Sequence, residues 1–339
     1  MKKSVLKTLR YLLFLGLALL LLFFAFKGID LKILWNNLVH ARYGWVAVPL
    51  LFATIAYLSR AYRWNLLIEP LGYKPKFKNT FNSMMVGYLA NYAFPRIGEI
   101  TRCGVLSRTE KIPADKLFGT VIIERLIDML MVFILLFILL VGRFEFFGTF
   151  LNENILIPVW NMLTGITEKS LVFWFVVIFA GLSFIILFYL LLRARPDSNP
   201  IILRIRKIIK GMISGIQTVY KMKRSWSFVL HSLIIWGSYW LMSYFAVFIL
   251  PATSGLKPID GLFILVIGSF GFIAPVQGGI GAFHWIVSVG LTIYGISKEE
   301  GLAFATLLHG AQSLWTIFLG TVSMLLLFLN RKKSAVTNT

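Results

Sequence analysis

Apolar residues dominate the chain in long blocks, which polar residues interrupt at only a few places. A helix that crosses the hydrocarbon core of a bilayer needs about 20 mostly apolar residues. This pattern predicts an all-α polytopic membrane protein. The six predicted membrane-spanning helices are Leu9–Phe26, Tyr43–Ser59, Leu117–Val141, Leu171–Leu192, Trp226–Leu250 and Leu302–Leu329.

Two further apolar stretches, Asn79–Gly104 and Gly261–Tyr294, contain Gly, Pro and polar residues in their middles. Non-helical backbone is tolerated at membrane depth only where it is buried in protein or lines a wet cavity. We therefore interpret each stretch as a re-entrant helical hairpin, whose two half-helices enter and leave on the same side. Pro95 and Gly98 mark the break in the first hairpin, and Pro275 marks the break in the second.

The two hairpins divide the membrane region into units of the same plan, residues 43–141 and 226–329. Each unit consists of a span, a hairpin and a second span, and the two units enter the membrane from opposite sides. Such inverted repeats with paired interrupted segments are typical of transporters whose substrate site lies near the bilayer midplane. The linker 193–225 contains apolar residues at helical spacing among Lys and Arg, which predicts an amphipathic helix over Pro200–Tyr220 on the lipid surface.

Composition and charge fix the class of protein and its orientation. The 339 residues are 58% hydrophobic and 14% charged, yet their formal net charge is +20. With the N-terminus inside, most Lys and Arg residues fall in cytoplasmic segments, as the positive-inside rule requires. We expect one integral membrane domain, residues 1–330, in the cytoplasmic (inner) membrane, with both termini cytoplasmic and a disordered basic tail at 331–339. Nucleic acid is not an expected partner, because no aromatic platform for bases is present.

The first group of candidate ligand residues lies at the break of the first hairpin, in the segment Pro95-Arg96-Ile-Gly98-Glu99-Ile-Thr-Arg102. A half-helix that begins here presents free backbone N–H groups, and two arginines lie nearby, so the segment suits a phosphate group. Glu99 can pair with either arginine or bind a cationic head group. The alternative is that these charges lie in a cytoplasmic loop at the membrane surface.

The second group is Glu124-Arg125-Leu-Ile-Asp128, near the start of an apolar helix. Ionisable groups in such a helix are costly unless they face the bundle interior or a wet cavity. The spacing places Glu124 and Asp128 on one face and predicts that Arg125 reaches Asp128. An Arg–Asp pair that only fixes helix packing is the alternative. Arg60 and Arg63, which follow the second predicted span, are interpreted as membrane anchors.

The third group is Gln277-Gly278-Gly279-Ile-Gly281-Ala-Phe-His284, at the break of the second hairpin. Its glycines permit a tight turn and a close approach of a ligand to backbone amides. His284 is a candidate proton-responsive group. The alternatives are a histidine that is simply hydrogen-bonded in place and glycines that serve close helix packing.

The remaining candidate ligands are scattered. His40, His231, His309 and the single Cys103 lack metal-ligand spacing, so we predict no metal site and no cofactor. We assign no catalytic residue, because both acids of the second group come from one helix with no opposing partner in the sequence. No ATP-binding motif is present, so any transport is downhill or coupled to a gradient.

With these segments the chain resembles the lysylphosphatidylglycerol synthase transmembrane-region family, a flippase-like family, over about residues 9–329. The family's marks appear here as Arg63-Trp64, Pro95-Arg96-Ile-Gly98-Glu99-Ile-Thr-Arg102, Glu124-Arg125-Leu-Ile-Asp128 and Pro275-Val-Gln-Gly278-Gly279-Ile-Gly281. Two features depart from the family pattern. Pro95 and Arg96 are directly adjacent, and His284 stands where the Gly-rich segment usually continues to a glutamate.

The resemblance implies movement of lipids across the cytoplasmic membrane, aminoacylated phospholipids and polyprenyl-linked sugars among them. In the two-part members a soluble C-terminal domain makes the aminoacyl lipid, and this chain resembles the translocating part alone. Our leading hypothesis is therefore a lipid translocase that works without ATP hydrolysis. Its predicted substrate-binding residues are Arg96, Glu99, Arg102, Glu124, Arg125, Asp128, Gln277, Gly278, Gly279, Gly281 and His284.

Two other functions stay open on the sequence. One is an integral-membrane transferase that modifies a lipid head group, with Glu124 or Asp128 as the base. The other is a non-catalytic membrane protein that recruits a separate lipid-modifying enzyme through its basic cytoplasmic surface. The expected partners are membrane lipids with an anionic phospholipid or lipid-linked head group and, for the last function, the separate lipid-modifying enzyme.

Overall fold

The computed structural model describes residues 16–17, 19–143 and 222–336, with side chains up to Asn330. Within these ranges the regular structure is helical and no β-strand occurs. The nine α-helices described below are α1 Leu31–Val39, α2 Ala47–Ile68, α3 Phe77–Ala93, α4 Gly98–Glu110, α5 Ala114–Gly142, α6 Ser225–Ala246, α7 Pro258–Ile273, α8 Ala282–Leu291 and α9 Lys298–Val336.

The chain forms two compact units. One comprises Met1–Leu135 together with Gln217–Thr339, and the other comprises Leu136–Ile216. Every contact described below lies within the first unit. The predicted span Leu171–Leu192 and the predicted amphipathic helix Pro200–Tyr220 lie outside the described residues.

Four of the predicted membrane spans are confirmed by helices long and apolar enough to cross a bilayer. These helical segments are Tyr43–Leu71, Ala114–Gly142, Ser225–Ile249 and Lys298–Asn330. Of the first predicted span, Leu9–Phe26, residues 19–26 are described and are helical. The chain is therefore an all-α integral membrane protein.

Two helices extend beyond their predicted ends. Helix α2 continues to Ile68 instead of ending at Ser59. The helix can stay inside the protein beyond Ser59 because Arg60 and Arg63 form ion pairs with the buried carboxylate of Asp128. Helix α9 continues through Val336, so the backbone of residues 331–336 is helical where a disordered tail was predicted. Basic residues are favourable at this end of a helix, where the helix dipole is negative. The last part of the predicted tail, 337–339, lies outside the described residues.

Both predicted hairpins have the expected helix–break–helix form. The first consists of α3 and α4, and the second of α7 and α8. In each, a glycine allows the two arms to meet backbone to backbone: a Cβ on Gly87 would lie 2.7 Å from the carbonyl oxygen of Gly98, and one on Gly271 would lie 2.8 Å from Cα of Phe283. Small residues drive this kind of close packing in membranes, where apolar burial alone supplies little force.

The spans hold the hairpins in place. Helix α2 packs chiefly against α6. These two helices are the first helices of the two predicted units. Helix α9 packs against α3 of the first hairpin and α8 of the second, so one long helix contacts both hairpins. The inverted relation of the two units and their re-entrant path stay predictions.

Candidate functional site

Five charged side chains from three helices form the buried ion cluster. Each of the five residues is at most 8% exposed. The members are Arg60 and Arg63 of α2, Arg102 of α4, and Glu124 and Asp128 of α5. The three helices meet here because Arg60 and Arg63 are three residues apart, and Glu124 and Asp128 four apart, so that each pair occupies one helix face.

Asp128 joins α5 to α2. Its Oδ1 lies 2.7 Å from Nη2 of Arg63, and its Oδ2 lies 3.1 Å from Nη2 of Arg60. Charge-assisted contacts of this kind are stronger than neutral hydrogen bonds, and they compensate for removing the ions from water. The interpretation of Arg60 and Arg63 as membrane anchors is therefore wrong, because both guanidinium groups lie inside the protein.

Glu124 joins α5 to α4 as well as to α2. Its Oε2 lies 3.2 Å from Nη1 of Arg102, and its Oε1 lies 3.5 Å from Nη1 of Arg60. The Glu124 side chain is fully buried. Arg102 is also buried, so the alternative of a surface loop does not apply to this arginine.

Aromatic rings cover the guanidinium groups of the cluster. Arg102 lies over the ring of Trp64 at 4.7 Å, and Arg63 lies over the ring of Phe228 at 5.6 Å. Arg63 also donates a hydrogen bond of 3.2 Å to the hydroxyl of Ser232. Cation–π contacts favour the charged guanidinium where water is excluded, so the aromatic residues help to keep the arginines in place.

The cluster holds three arginines and two carboxylates, so it carries one formal positive charge in excess. Within the described part of the chain, Nε and Nη2 of Arg102 have no hydrogen-bond partner, and neither has Nε of Arg60 or Arg63. A buried charge or donor without a partner is costly. The arrangement is therefore suited to accepting an anionic group.

A partly exposed ion pair lies beside the buried ion cluster. Nη2 of Arg125 donates a hydrogen bond of 2.6 Å to Oε1 of Glu99, and the two side chains are 44% and 28% exposed. Arg125 was predicted to reach Asp128. It pairs with Glu99 instead, since the carboxylate of Asp128 is already occupied by Arg60 and Arg63.

The exposed pair and the cluster form a continuous row of charges between α4 and α5. Glu99 and Arg102 are three residues apart on α4, and Arg125 follows Glu124 on α5. The row thus leads from the exposed Arg125–Glu99 pair to the buried Arg102–Glu124 pair.

The breaks of the two hairpins contact each other. Nη2 of Arg96 donates a hydrogen bond of 2.6 Å to the carbonyl oxygen of Ile273, at the C-terminal end of α7. Gly278 lies so close to the ring of Tyr92 that a Cβ there would be 2.5 Å from Cε1 of the ring. The hydroxyl of Tyr92 in turn donates to Ser313 of α9 at 3.1 Å. The first and third groups of predicted residues are therefore joined at this point.

Two buried histidines lie at the break of the second hairpin. Nδ1 of His284 accepts a hydrogen bond of 3.3 Å from the backbone N–H of Gly281. Nε2 of His309, on α9, lies 2.9 Å from the carbonyl oxygen of Gly278. The ring centroids of the two histidines are 5.0 Å apart. Gln277 is 7% exposed, and its side-chain amide has no partner within the described residues.

The predicted site residues thus fall into two groups. Arg102, Glu124 and Asp128 belong to the buried ion cluster, with Glu99 and Arg125 beside it. The others lie where the two hairpins meet: Arg96, Gln277, Gly278, Gly279, Gly281 and His284. Their role in substrate binding stays a prediction. Across the described ranges, no group of three or more His, Cys, Asp or Glu side chains is arranged to hold a metal ion.

Sequence reasoning missed several residues that complete these groups. Arg60, Arg63 and Trp64 share one face of α2 at helical spacing, which is a signal for a common role, but they follow an apolar run and were assigned to its end. Tyr92 and His309 carry no local signal, since each meets its partners only when separate helices pack together.

Comparisons with known proteins agree with the helical membrane architecture. Residues 11–320 match the family model described as the lysylphosphatidylglycerol synthase TM region. A UPF0104 membrane protein of Methanocaldococcus jannaschii is 30% identical over 159 residues, which is 46% of this chain and 46% of that protein. The matched region therefore spans less than half the length of this relative. No solved structure gives a significant match.

Proposed function

Because the chain belongs to the lysylphosphatidylglycerol synthase transmembrane-region family, we propose that it moves a lipid with an anionic group from one membrane leaflet to the other. The candidate lipids are a phospholipid, an aminoacyl phospholipid and a polyprenyl-linked lipid. Their shared feature is a phosphate near the polar end. Movement proceeds without ATP hydrolysis, driven by the lipid's own gradient or by a coupled ion.

The observation that carries this proposal is the excess positive charge of the buried ion cluster. Three guanidinium groups surround two carboxylates, and several guanidinium N–H groups have no partner within the described part of the chain. A phosphate oxygen accepts several such hydrogen bonds at once and neutralises the excess charge. Arg102 is the best-suited donor, because both Nε and Nη2 are unpaired there.

The row of charges between α4 and α5 supplies the path to this site. The phosphate first displaces Glu99 from the partly exposed Arg125, and then competes with Glu124 for Arg102. Each exchange replaces one charge-assisted contact by another, so the phosphate does not have to be held in the apolar interior without a partner. The acyl or prenyl chains stay in the bilayer throughout.

The geometry favours this function over transfer of a head group. A general base must be able to accept a proton from the reacting group. Glu124 and Asp128 are each held by at least two arginines, so neither carboxylate is available for this role. The buried position of the charges also favours a lipid ligand over a soluble protein partner, which would contact charges at the surface.

We extend the proposal to the orientation of the protein. The excess of Lys and Arg in the segments between alternate spans supports cytoplasmic termini in an inner membrane. This orientation is tested with a cysteine placed at either terminus in a Cys103→Ser background. The cysteine is treated with a membrane-impermeant labelling reagent, once in intact cells and once in inverted vesicles. Labelling of either terminus in intact cells contradicts it.

Translocation is tested with purified protein in lipid vesicles. A fluorescent phosphatidylglycerol is placed in both leaflets, and the fraction that an impermeant quencher reaches is followed over time, with fluorescent phosphatidylcholine as a second probe. We expect faster movement of phosphatidylglycerol than of phosphatidylcholine. Arg102→Gln should slow it about tenfold or more, because a charge-assisted hydrogen bond to the phosphate is lost.

The matched control is Arg224→Gln. Arg224 is 48% exposed in its side chain, and among the described residues it pairs with Glu69 at 3.5 Å and donates a hydrogen bond of 2.6 Å to the hydroxyl of Tyr62. Neither partner belongs to the buried ion cluster, so this variant should move phosphatidylglycerol at the wild-type rate. The thermal stability of each variant is measured alongside, to separate loss of function from loss of fold. The proposal fails if the wild-type protein moves neither lipid, or if stable Arg102→Gln moves phosphatidylglycerol at the wild-type rate.

A further inference from the structure

The break of the second hairpin is held by two histidines through opposite kinds of hydrogen bond. His284 lies in the first turn of α8, and its Nδ1 accepts from the N–H of Gly281, which precedes the helix. His309 lies on α9 and contacts the carbonyl oxygen of Gly278 through Nε2. Gly278, Gly279 and Gly281 all have positive φ angles. The turn also has backbone hydrogen bonds of its own, among them Ile280 N–H to Gln277 and Trp285 N–H to Gly281, and the histidines add the side-chain contacts that fix its position.

These bonds fix the proton positions in both rings. A backbone N–H only donates, so Nδ1 of His284 is unprotonated and the neutral ring carries its proton on Nε2. A carbonyl oxygen only accepts, so Nε2 of His309 carries a proton. The two rings lie nearly perpendicular, at 89°, with their centroids 5.0 Å apart.

The two histidines therefore differ in their response to a proton. A proton added to His309 binds Nδ1 and leaves the bond from Nε2 to Gly278 intact. A proton added to His284 binds Nδ1 and turns this acceptor into a donor, which then faces the N–H of Gly281. The bond across the N-terminus of α8 is lost, and a positive charge is placed at the positive end of that helix's dipole.

We infer that His284 and His309 form a proton-binding site that controls the shape of the second hairpin: protonation of His284 releases the turn Gln277–Gly281 from the start of α8. The proton comes from water and ends on Nδ1 of His284, and the hydrogen bond from Gly281 breaks. This site is separate from the buried ion cluster, and it does not depend on the identity of the transported group.

The groups around the two rings support a site that accepts one proton at a time. Helix α9 contributes His309 itself, whose ring packs against Phe272 and Phe283. The first hairpin brings Tyr92 and the cationic Arg96 to this end of the molecule. Helix α7 has one ionisable residue, Asp260, in its first turn at the opposite end. Two imidazolium rings in contact repel each other, so a second proton is disfavoured.

The test is amide hydrogen exchange of the full-length protein in detergent micelles, read by mass spectrometry from about pH 8 to about pH 4. Rates are corrected for the intrinsic effect of pH on exchange. In the wild type we expect protection in the segment 277–285 to fall about tenfold or more on acidification. Protection in α5 should change far less, because no histidine contacts its ion pairs in the described residues.

His284→Gln is the informative variant. Glutamine at this position of a helix can accept the same hydrogen bond from the preceding N–H, but it does not titrate. Its segment 277–285 should be as protected as in the wild type at about pH 8 and should stay protected on acidification. His309→Gln keeps a hydrogen-bond donor for the carbonyl of Gly278 and leaves His284 in place. In this variant the segment 277–285 should therefore still lose protection at low pH.

The matched control is His40→Gln, which removes an exposed histidine at the end of α1; its pH response should equal that of the wild type. The inference is overturned if protection of 277–285 in the wild type does not change with pH. It is also overturned if the response survives in His284→Gln, or if it disappears only in His309→Gln. This readout needs no lipid movement, so its result is independent of the vesicle assay.

Lipid movement supplies a second readout. In vesicles that show translocation, wild type and His40→Gln should move phosphatidylglycerol faster as the pH falls, and the rate in His284→Gln should not depend on pH. Absence of movement at every pH contradicts the proposed translocation and leaves the exchange experiment to decide on the proton site.

Discussion

Asp128 accepts a hydrogen bond of 2.7 Å from Nη2 of Arg63, and both residues are buried between α2 and α5. Asp128→Asn keeps the size of the side chain but removes the charge that balances two arginines. Loss of one partner from a buried ion pair costs about 3–5 kcal/mol, so we expect a clear fall in the thermal midpoint of the detergent-solubilised protein. Asp115→Asn, at an exposed position in the first turn of the same helix, should leave the midpoint nearly unchanged. Equal midpoints for both variants would contradict the importance of the cluster for stability.

The close contact within the first hairpin predicts opposite effects for two glycine substitutions. A Cβ on Gly87 would meet the carbonyl oxygen of Gly98 at 2.7 Å and Cβ of Arg102 at 2.9 Å, so Gly87→Ala should destabilise the protein by about 1–3 kcal/mol. Gly104 lies in helix α4 with nothing within 4 Å of its added Cβ. Gly104→Ala should therefore stabilise it, by up to about 1 kcal/mol from helix propensity. Thermal unfolding of both variants checks the difference, and a stable Gly87→Ala would show that the arms are further apart.

Arg96 has a φ angle of 61°, which is unfavourable for any residue with a side chain. Its hydrogen bond to the carbonyl of Ile273 compensates for this conformation. Arg96→Ala loses the bond and keeps the strain, whereas Arg96→Gly loses the bond and relieves the strain. We expect the glycine variant to be the more stable of the two by about 1 kcal/mol, as measured by thermal unfolding. An alanine variant as stable as the glycine variant would argue against a left-handed backbone here.

Cys103 provides a natural reporter of the packing around the buried ion cluster. It is the single cysteine of the chain, it is fully buried, and it follows Arg102. A membrane-permeant maleimide should therefore label the folded protein slowly, and should label it faster in Asp128→Asn, where the helices pack less tightly. The control is a Cys103→Ser variant with Arg108→Cys, because Arg108 is exposed on the same helix. Rapid labelling of Cys103 in the wild type would show that the packing around it is open.

The membrane class, four spans and both hairpin breaks could be predicted from the sequence, because each depends on local properties of the chain. Spans are recognised by apolar length, and the breaks by Pro and Gly within apolar segments. Glu124, Arg125 and Asp128 could be identified as important because ions in an apolar helix carry a large energetic cost. These residues are informative before any partner is known.

The partners of these residues could not be predicted in the same way. Basic residues at the end of a span usually anchor it, and only the packing of α2 against α5 shows that Arg60 and Arg63 turn inward. Arg125 was assigned to Asp128 by spacing within one helix, but Glu99 from another helix is its partner. His309 became a candidate only because α9 packs against α8. In each case the information lies in contacts between helices distant along the chain.

The hydrogen bond between Arg96 and the carbonyl of Ile273 links the two hairpins at their tips. As long as this bond persists, neither tip can swing away without pulling the other along. Under the proposed translocation, the two tips would therefore act as one gate with two leaves, and a change of shape in the second hairpin would reach the first directly through this bond.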